Sequence, residues 1–289
     1  MRIEGITTCS QKGAKIVNLT KIACVPRSVY YYQQNTAKRK KKDALVLIEI
    51  QKLPELIQKT YGSKRMAKEF LSQGITYNHK RLARIRKIAN ICSMIRRRKF
   101  PKDYYKTIKE NKVNIPQNIL ARNFSASKPM EKLVADITYF KSKEGWLYLN
   151  GILDLYNGEI VSYSLSKNIN EALALDSVKH LCSTHSLRDT LLHTDQGSTY
   201  IGKNYRKQLQ DLEIKQSMSR RGNCWDNACM EQFFGTLKSE TIYLKTKDVL
   251  LSAKELVKMI TEYIMFYNNK RIKKSLGWLS PVHFRELNA

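Results

Sequence analysis

No apolar stretch in this 289-residue chain approaches the roughly 18–20 residues that a membrane span requires. The N-terminus, Met1-Arg-Ile-Glu-Gly5, lacks the apolar core of a secretory signal. Six cysteines do not make a disulfide framework in a chain of this length, and none forms a C-x-x-C pair, so a reducing cytoplasm is expected. His180, Cys182 and His185 form an H-x-C-x-x-H cluster, but no second pair stands at zinc-site spacing, so surface or packing roles are expected there. Acidic residues are scarce: 25 Asp and Glu face 52 Lys and Arg, a formal net charge of +27.

That charge is concentrated. The first 128 residues hold 30 Lys/Arg against 7 Asp/Glu, and the remainder 22 against 18. General lysine enrichment for solubility would not leave the two parts so different. A basic front part joined to a nearly balanced back part points to a polyanion-binding module attached to a second, distinct one, with nucleic acid as the expected partner and no membrane.

Residues 1–42 read as an N-terminal helical, helix-turn-helix-like segment, with a turn near Val25-Pro26 and a solvated lysine linker at Lys38–Lys42. Residues 43–100 read as an all-α helix-turn-helix DNA-binding domain. A first helical pattern covers 44–59, with apolar residues at 45, 48, 53, 56 and 57; a second covers 63–72 and ends at Gly74. Asn78 is placed to cap a third, whose expected buried stripe is Leu82, Ile85, Ile88 and Ala89. Lys80, Arg81, Arg84 and Lys87 project from its other faces and are candidate DNA contacts, mostly to phosphates.

Residues 101–127, with Pro101 and Pro116, read as a linker. From 128 the periodicity changes. Strand-like runs at 133–140, 146–154 and 159–165, parted by Gly145 and Asn157-Gly158, predict an antiparallel meander. A helix at 170–183, a strand at 190–194, a helix near 201–211, a strand at 213–216 and a helix around Glu231 follow. This order predicts an α/β layered domain over 128–240. Residues 241–289 read as a C-terminal helical extension, with one amphipathic helix at 251–267 and a tail that includes Ser280-Pro281.

Three acids carry the chemistry. Asp136 lies inside the alternating run Leu133-Val-Ala-Asp-Ile-Thr-Tyr-Phe140, where an unpaired carboxylate is costly and a cation offsets the cost. Asp195 ends the apolar run Leu191-Leu-His-Thr-Asp-Gln-Gly197, at a strand terminus where ligands gather in α/β sheets. Glu231, separated from it by 35 residues, opens a helix after Asn223-Cys-Trp-Asp-Asn227. Converging carboxylates hold hard divalent ions, and a pair of Mg²⁺ ions stabilises attacking and leaving oxygens in phosphodiester chemistry. Lys238 falls two helical turns after Glu231 on the same face, suited to a DNA phosphate. Arg220 and Arg221, in Ser219-Arg-Arg-Gly222, form a basic approach able to clamp substrate. Asp154 reads as a structural acid and Asp226 as a helix cap.

Taken together, the chain resembles bacterial insertion-sequence transposases of the OrfB type, with a retroviral-integrase-like D-D-E core. The matching pieces are Tyr61-Gly-Ser-Lys-Arg65, Asp136-Ile-Thr-Tyr139, His193-Thr-Asp-Gln-Gly-Ser-Thr-Tyr200, Arg221-Gly-Asn-Cys-Trp-Asp-Asn227, Glu231-Gln-Phe-Phe234, Leu237-Lys238 and Tyr267-Asn-Asn-Lys-Arg271, then Leu276-Gly277 and Ser280-Pro281. Leu133, where such proteins often have Trp, and Asn157-Gly158, in place of a commoner Ser-Arg, are departures away from the acids. The resemblance implies an RNase H-like mixed-sheet catalytic core at 128–240, with Asp136, Asp195 and Glu231 as catalytic and metal-binding residues for Mg²⁺ or Mn²⁺. It implies 3′-end cleavage and strand transfer of an element's terminal repeats into target DNA, and a homo-oligomer on that DNA in the bacterial cytoplasm, associated with the nucleoid. It further implies an upstream OrfA partner or frameshift fusion. A purely hydrolytic RNase H-like nuclease and a DNA-binding regulator with an inactive core stay open as alternatives.

Overall fold

The computed structural model describes residues 2–94, 115–220, 223–242 and 250–288. It divides into two compact units, Met1–Ser93 and Met94–Ala289.

The first unit is all-helical: α1 Arg2–Gln11, α2 Ile16–Ile22, α3 Arg27–Lys52, α4 Glu55–Thr60, α5 Ser63–Ser72 and α6 His79–Ile88. No proline or glycine interrupts residues 27–52, and lysine is a good helix former. The run Lys38–Lys42 is therefore part of α3, not a linker, and α3 crosses the boundary expected at 42/43 without a break. Pro54 stops it, holding Leu53 in extended backbone at ψ 150°.

Between α5 and α6, Gly74 takes φ +77° just past the first helix, and the Asn78 side chain accepts from Lys80 N at 2.8 Å to cap the second. The buried faces differ from the expected ones. Val46 and Ile50 point inward on α3, whereas Leu45 and Ile48 are exposed. On α6, Leu82 and Ile85 are buried, but Ile88 is 73% exposed at the helix end. Arg86 takes the inward position, donating to the Tyr61 carbonyl at 2.7 Å and the Gln58 carbonyl at 3.1 Å, where the α4–α5 break leaves acceptors without helical donors.

The second unit is built on one five-stranded sheet, ordered β3-β2-β1-β4-β5. The strands are β1 Lys132–Ser142, β2 Gly145–Asp154, β3 Ile160–Ser166, β4 Leu191–Thr194 and β5 Lys215–Met218. The first three form the expected antiparallel meander, and β4 and β5 add in parallel. The last strand lies two residues beyond the expected 213–216. Helices α7 Glu171–Cys182, α8 Ser198–Ile201, α9 Lys203–Asp211, α10 Ala228–Glu240, α11 Ala253–Asn269 and α12 Pro281–Asn288 complete the unit. The single helix expected at 201–211 is two, parted at Gly202, and the segment from Pro281 is helical, with proline opening its first turn. This strand order and direction, flanked by helices, is the α/β RNase H-like arrangement.

Two cores sandwich the sheet. Leu133, Ala135 and Ile152 pack with α7 and α9 on one face. Val134, Phe140, Leu149 and Leu153 pack with α10 and α11 on the other. The expected C-terminal extension is thus part of this core. A buried ion pair ties it down, with Arg271 bonded to both Glu240 oxygens at 2.9 and 2.7 Å.

Candidate active site

β1 runs to Ser142 but pairs with β4 only from Lys132 to Val134. Beyond that point the two strands part, and the edge of β1 facing β4 opens into a notch. Val134 lies opposite His193, the last pair of the ladder, and Asp136 and Asp195 each follow two residues later on their own strand. Alternation along β1 puts Asp136 on the α10 face with Val134 and Phe140. On its other side Asp136 pairs with Gly151, and α10 presses close there. A Cβ at Gly151 would stand 3.2 Å from the Met230 methyl carbon and 3.6 Å from the Phe234 ring. That close approach carries Glu231, the next residue after Met230, to the notch, where its side chain is exposed.

Electrostatics links the three acids. Asp136 is pushed up to about 8, first by burial, then by the charge of Asp195, with Glu231 adding to the rise and Lys238 opposing it. Burial also raises Asp195, against the Gly197 N–H that it accepts. Each aspartate gives one oxygen to a local backbone donor at 2.9 Å, Ile137 N for Asp136 and Gly197 N for Asp195. The second oxygen of each makes no hydrogen bond among the described residues. An all-oxygen, acidic donor set with uncompensated like charge fits a hard divalent cation. As the side chains stand, no three acidic, histidine or cysteine groups among the described residues are close enough to grip one ion.

Lys238 lies at the same notch, half-buried. Its Nζ is 5.1 Å from the Tyr139 ring centre and 5.2 Å from that of Phe140. Adjacent strand residues face opposite ways, so an ammonium near both rings sits at the open edge of β1. Burial lowers its pKa, and the charge of Asp136 counteracts this.

The surroundings of these groups are tightly tied. His193 is fully buried, with Nδ1 2.8 Å from Ser217 Oγ and Nε2 3.0 Å from Ser219 Oγ. Ser217 Oγ already accepts from Ile119 N and Leu120 N, so its hydroxyl hydrogen goes to Nδ1 and the histidine proton is assigned to Nε2. Burial pushes its pKa down to about 4, which keeps it neutral.

Asp226 is not the expected helix cap. It is 0% exposed and accepts from Arg220 N, Arg220 Nε, Arg122 Nε and Asn118 Nδ2 at 2.8–3.0 Å. These bonds, above all from the Arg220 guanidinium, hold its carboxyl far below the usual range. Arg220 is therefore engaged in a structural ion pair at the entry to α10. Arg221 lies outside the described residues.

Sequence reasoning missed Asn227, whose Nδ2 donates to the Ala135 carbonyl at 3.0 Å, fastening the start of α10 to the residue before Asp136. An amide two residues after a tryptophan carries no signal for that partner 92 positions away. Asp154 is buried at the end of β2, opposite Leu133, and accepts from Met130 N and Tyr156 N, both at 2.9 Å.

In the first unit, a groove of about 710 Å³ lies between α3 and α6, lined by Lys38, Arg39, Lys42, Lys80, Arg81 and Arg84 with Asn35 and Asn78. Asp43 at its base pairs with Arg81 at 2.9 Å and Arg84 at 2.7 Å. Burial raises the Asp43 carboxyl, but the two guanidinium groups outweigh it and lower the pKa. Lys87 is exposed outside the groove.

An RNase H-like sheet with acids at its parting strands, in a chain that also carries a helical unit with a basic groove, defines a protein of the integrase-core class. The chain matches the Integrase core domain family over residues 126–224 and again over 231–288, and an HTH-like domain family over 40–99. It is 36% identical over 271 residues to the putative transposase InsK of insertion sequence element IS150 from Escherichia coli K12, covering 92% of each chain. It is 32% identical over 230 residues to the transposase InsF of insertion sequence IS3A from the same organism, covering 79% of this chain and 77% of that one. The HTLV-2 integrase catalytic core domain in complex with magnesium aligns at 16% identity and a TM-score of 0.44, over 55% of this chain and 98% of that one. The chain belongs to the insertion-sequence transposases with an integrase core.

Proposed function

We propose that the protein cuts the 3′ ends of its insertion sequence and joins them to DNA, using Asp136, Asp195 and Glu231 as one divalent-metal site. The observation that carries this reading is the parting of β1 and β4 two residues short of both aspartates, with the charges of Asp195 and Glu231 both bearing on Asp136. Mg²⁺, or Mn²⁺ in its place, would be held by these carboxylates and would supply charge neutralisation at the phosphate undergoing substitution. Asp136 must lose its proton to serve as a ligand, and the crowding by Asp195 and Glu231 that raises its pKa is the crowding a divalent cation relieves.

Lys238 places a positive charge at the open edge of β1, two turns along α10 from Glu231, where it meets a DNA phosphate near the reacting one. Arg220, braced by Asp226, keeps the approach to α10 in shape and lies along the path of the substrate. The first unit holds DNA through the α3–α6 groove, with Lys80, Arg81 and Arg84 on one wall and Lys87 on the adjoining surface. DNA binding is thus assigned to the helical unit, including the part of α3 before residue 43, and catalysis to the sheet unit, whose core includes α11. A homo-oligomer on the DNA would hold the two ends of one element together, and the OrfA product of such elements is the expected co-worker.

A labelled duplex carrying the element's own end, incubated with the protein and Mg²⁺, is expected to give both a cut product and a longer joined product. Asp136→Asn and Glu231→Gln should remove both by at least about 10²-fold while leaving DNA binding in place. Cut product alone would reduce the activity to hydrolysis; turnover surviving in either variant would end the catalytic assignment.

A further inference from the structure

The two largest aromatic side chains at the tip of the β1–β2 hairpin are left half in solvent. Tyr139 is 52% and Trp146 48% exposed, and they touch edge to face with ring centres 5.2 Å apart. Neither the Tyr139 hydroxyl nor the Trp146 indole N–H has a hydrogen-bond partner among the described residues. Single exposed aromatics are ordinary, but here one member of a touching pair, Tyr139, also meets Lys238, whose ammonium is 5.1 Å from its ring centre. The same lysine is coupled electrostatically to Asp136. Tyr139 is three residues along β1 from Asp136, about 10 Å at strand rise and on the other face of the sheet, so a strand passing round the open edge at Lys238 covers that distance in about three nucleotides.

We propose that Tyr139 and Trp146 form a stacking platform for an unpaired base next to the reacting phosphate, with Lys238 holding the phosphate between platform and acids. This rests on the DNA cutting and joining proposed above. Phosphodiester substitution at a duplex end needs the strand drawn out of regular pairing to reach a notch in the sheet. A freed base loses its stacking partners and recovers them on an exposed aromatic face, whatever its identity. Charge favours this occupant over a second copy of the chain. Paired about a twofold axis at this ledge, two copies would bring each Lys238 toward its counterpart.

The test uses the full-length, metal-free protein and two duplexes of the same end sequence, one fully paired and one with three unpaired nucleotides carrying 2-aminopurine. Wild type is expected to bind the frayed duplex more tightly and to quench the 2-aminopurine. Trp146→Ala and Tyr139→Ala should lose the quench and weaken frayed-duplex binding at least about fivefold, with paired-duplex binding and melting temperature unchanged. Trp146→Phe should retain most of the preference. Equal weakening on both duplexes, no change on either, or a fall in sedimentation coefficient without loss of the frayed preference would overturn the platform; the last would make the ledge a protein interface. Binding is read without metal, so a wild type that prefers frayed DNA but never joins it would refute the catalytic proposal alone.

Discussion

Asp136 illustrates how a single side chain couples stability to function. Its carboxyl is pushed up to about 8 in the folded, metal-free protein, against an ordinary value near 4 in the unfolded chain. The folded state therefore holds a proton the unfolded state has lost. The associated stability is fully present below about pH 4 and is lost as pH rises towards about 8. Asp136→Asn removes that penalty. The metal-free variant should match wild type in melting temperature near pH 4 and exceed it by several degrees near pH 8.5, at roughly 2–4 °C per kcal/mol. Parallel melting curves across the range would show that the carboxyl is not raised. Over the same interval Mg²⁺ should bind wild type more tightly as pH rises, because the competing proton leaves.

At the scale of elements, the question is what holds α10 against β1. Met230, Phe233, Phe234 and Leu237 supply the packing, and the Asn227 amide bond to the Ala135 carbonyl fastens the start of the helix to β1 beside Asp136. Asn227→Ala is expected to lower melting stability by about 1 kcal/mol, the size of one hydrogen bond. The Mg²⁺ concentration for half-maximal joining should rise several-fold, and unchanged Mg²⁺ dependence would reduce Asn227 to a packing role. In the first unit, Ile85 is 3% and Ile88 73% exposed on the same helix. Ile85→Ala should cost about 2–4 kcal/mol in chemical denaturation, and Ile88→Ala less than about 0.5 kcal/mol. Similar costs at both positions would mean that α6 packs with the face expected from periodicity alone.

At the scale of the whole molecule, charge divides the labour. The first 128 residues carry a net excess of 23 positive charges from 30 basic and 7 acidic side chains, and the basic groove between α3 and α6 lies within them. Binding of the full chain to duplex DNA should fall linearly in log–log against salt. Lys80→Ala should reduce the magnitude of that slope by about one, without altering preference among sequences. Arg81 and Arg84 already share Asp43, so each phosphate contact they make competes with an internal ion pair, and their removal should change the slope less. An unaltered slope in Lys80→Ala would place the DNA elsewhere on the chain.

Local physics was legible in the order of residues. The alternating run around Asp136, the turn glycines, the Asn78 cap and the lopsided charge each depend on near neighbours, and each led to the right element or partner class. The three acids stood out by context, and in the fold the charges of Asp195 and Glu231 both bear on Asp136. What local order could not tell was where long-range partners lie. The Lys38–Lys42 run looked like a linker because charge repulsion reads as solvation, yet an uninterrupted helical backbone carries it through α3. Asp226 looked like a cap because acids favour helix starts, but Arg122, 104 positions earlier, and Arg220 claim it. Arg86 is buried because two carbonyls at a distant helix break need a donor. Sequence by itself determined the charge, the candidate acids and most of the strands and helices. Tertiary structure decided which faces are buried and which polar groups meet, because burial and pairing are settled by partners remote in the chain.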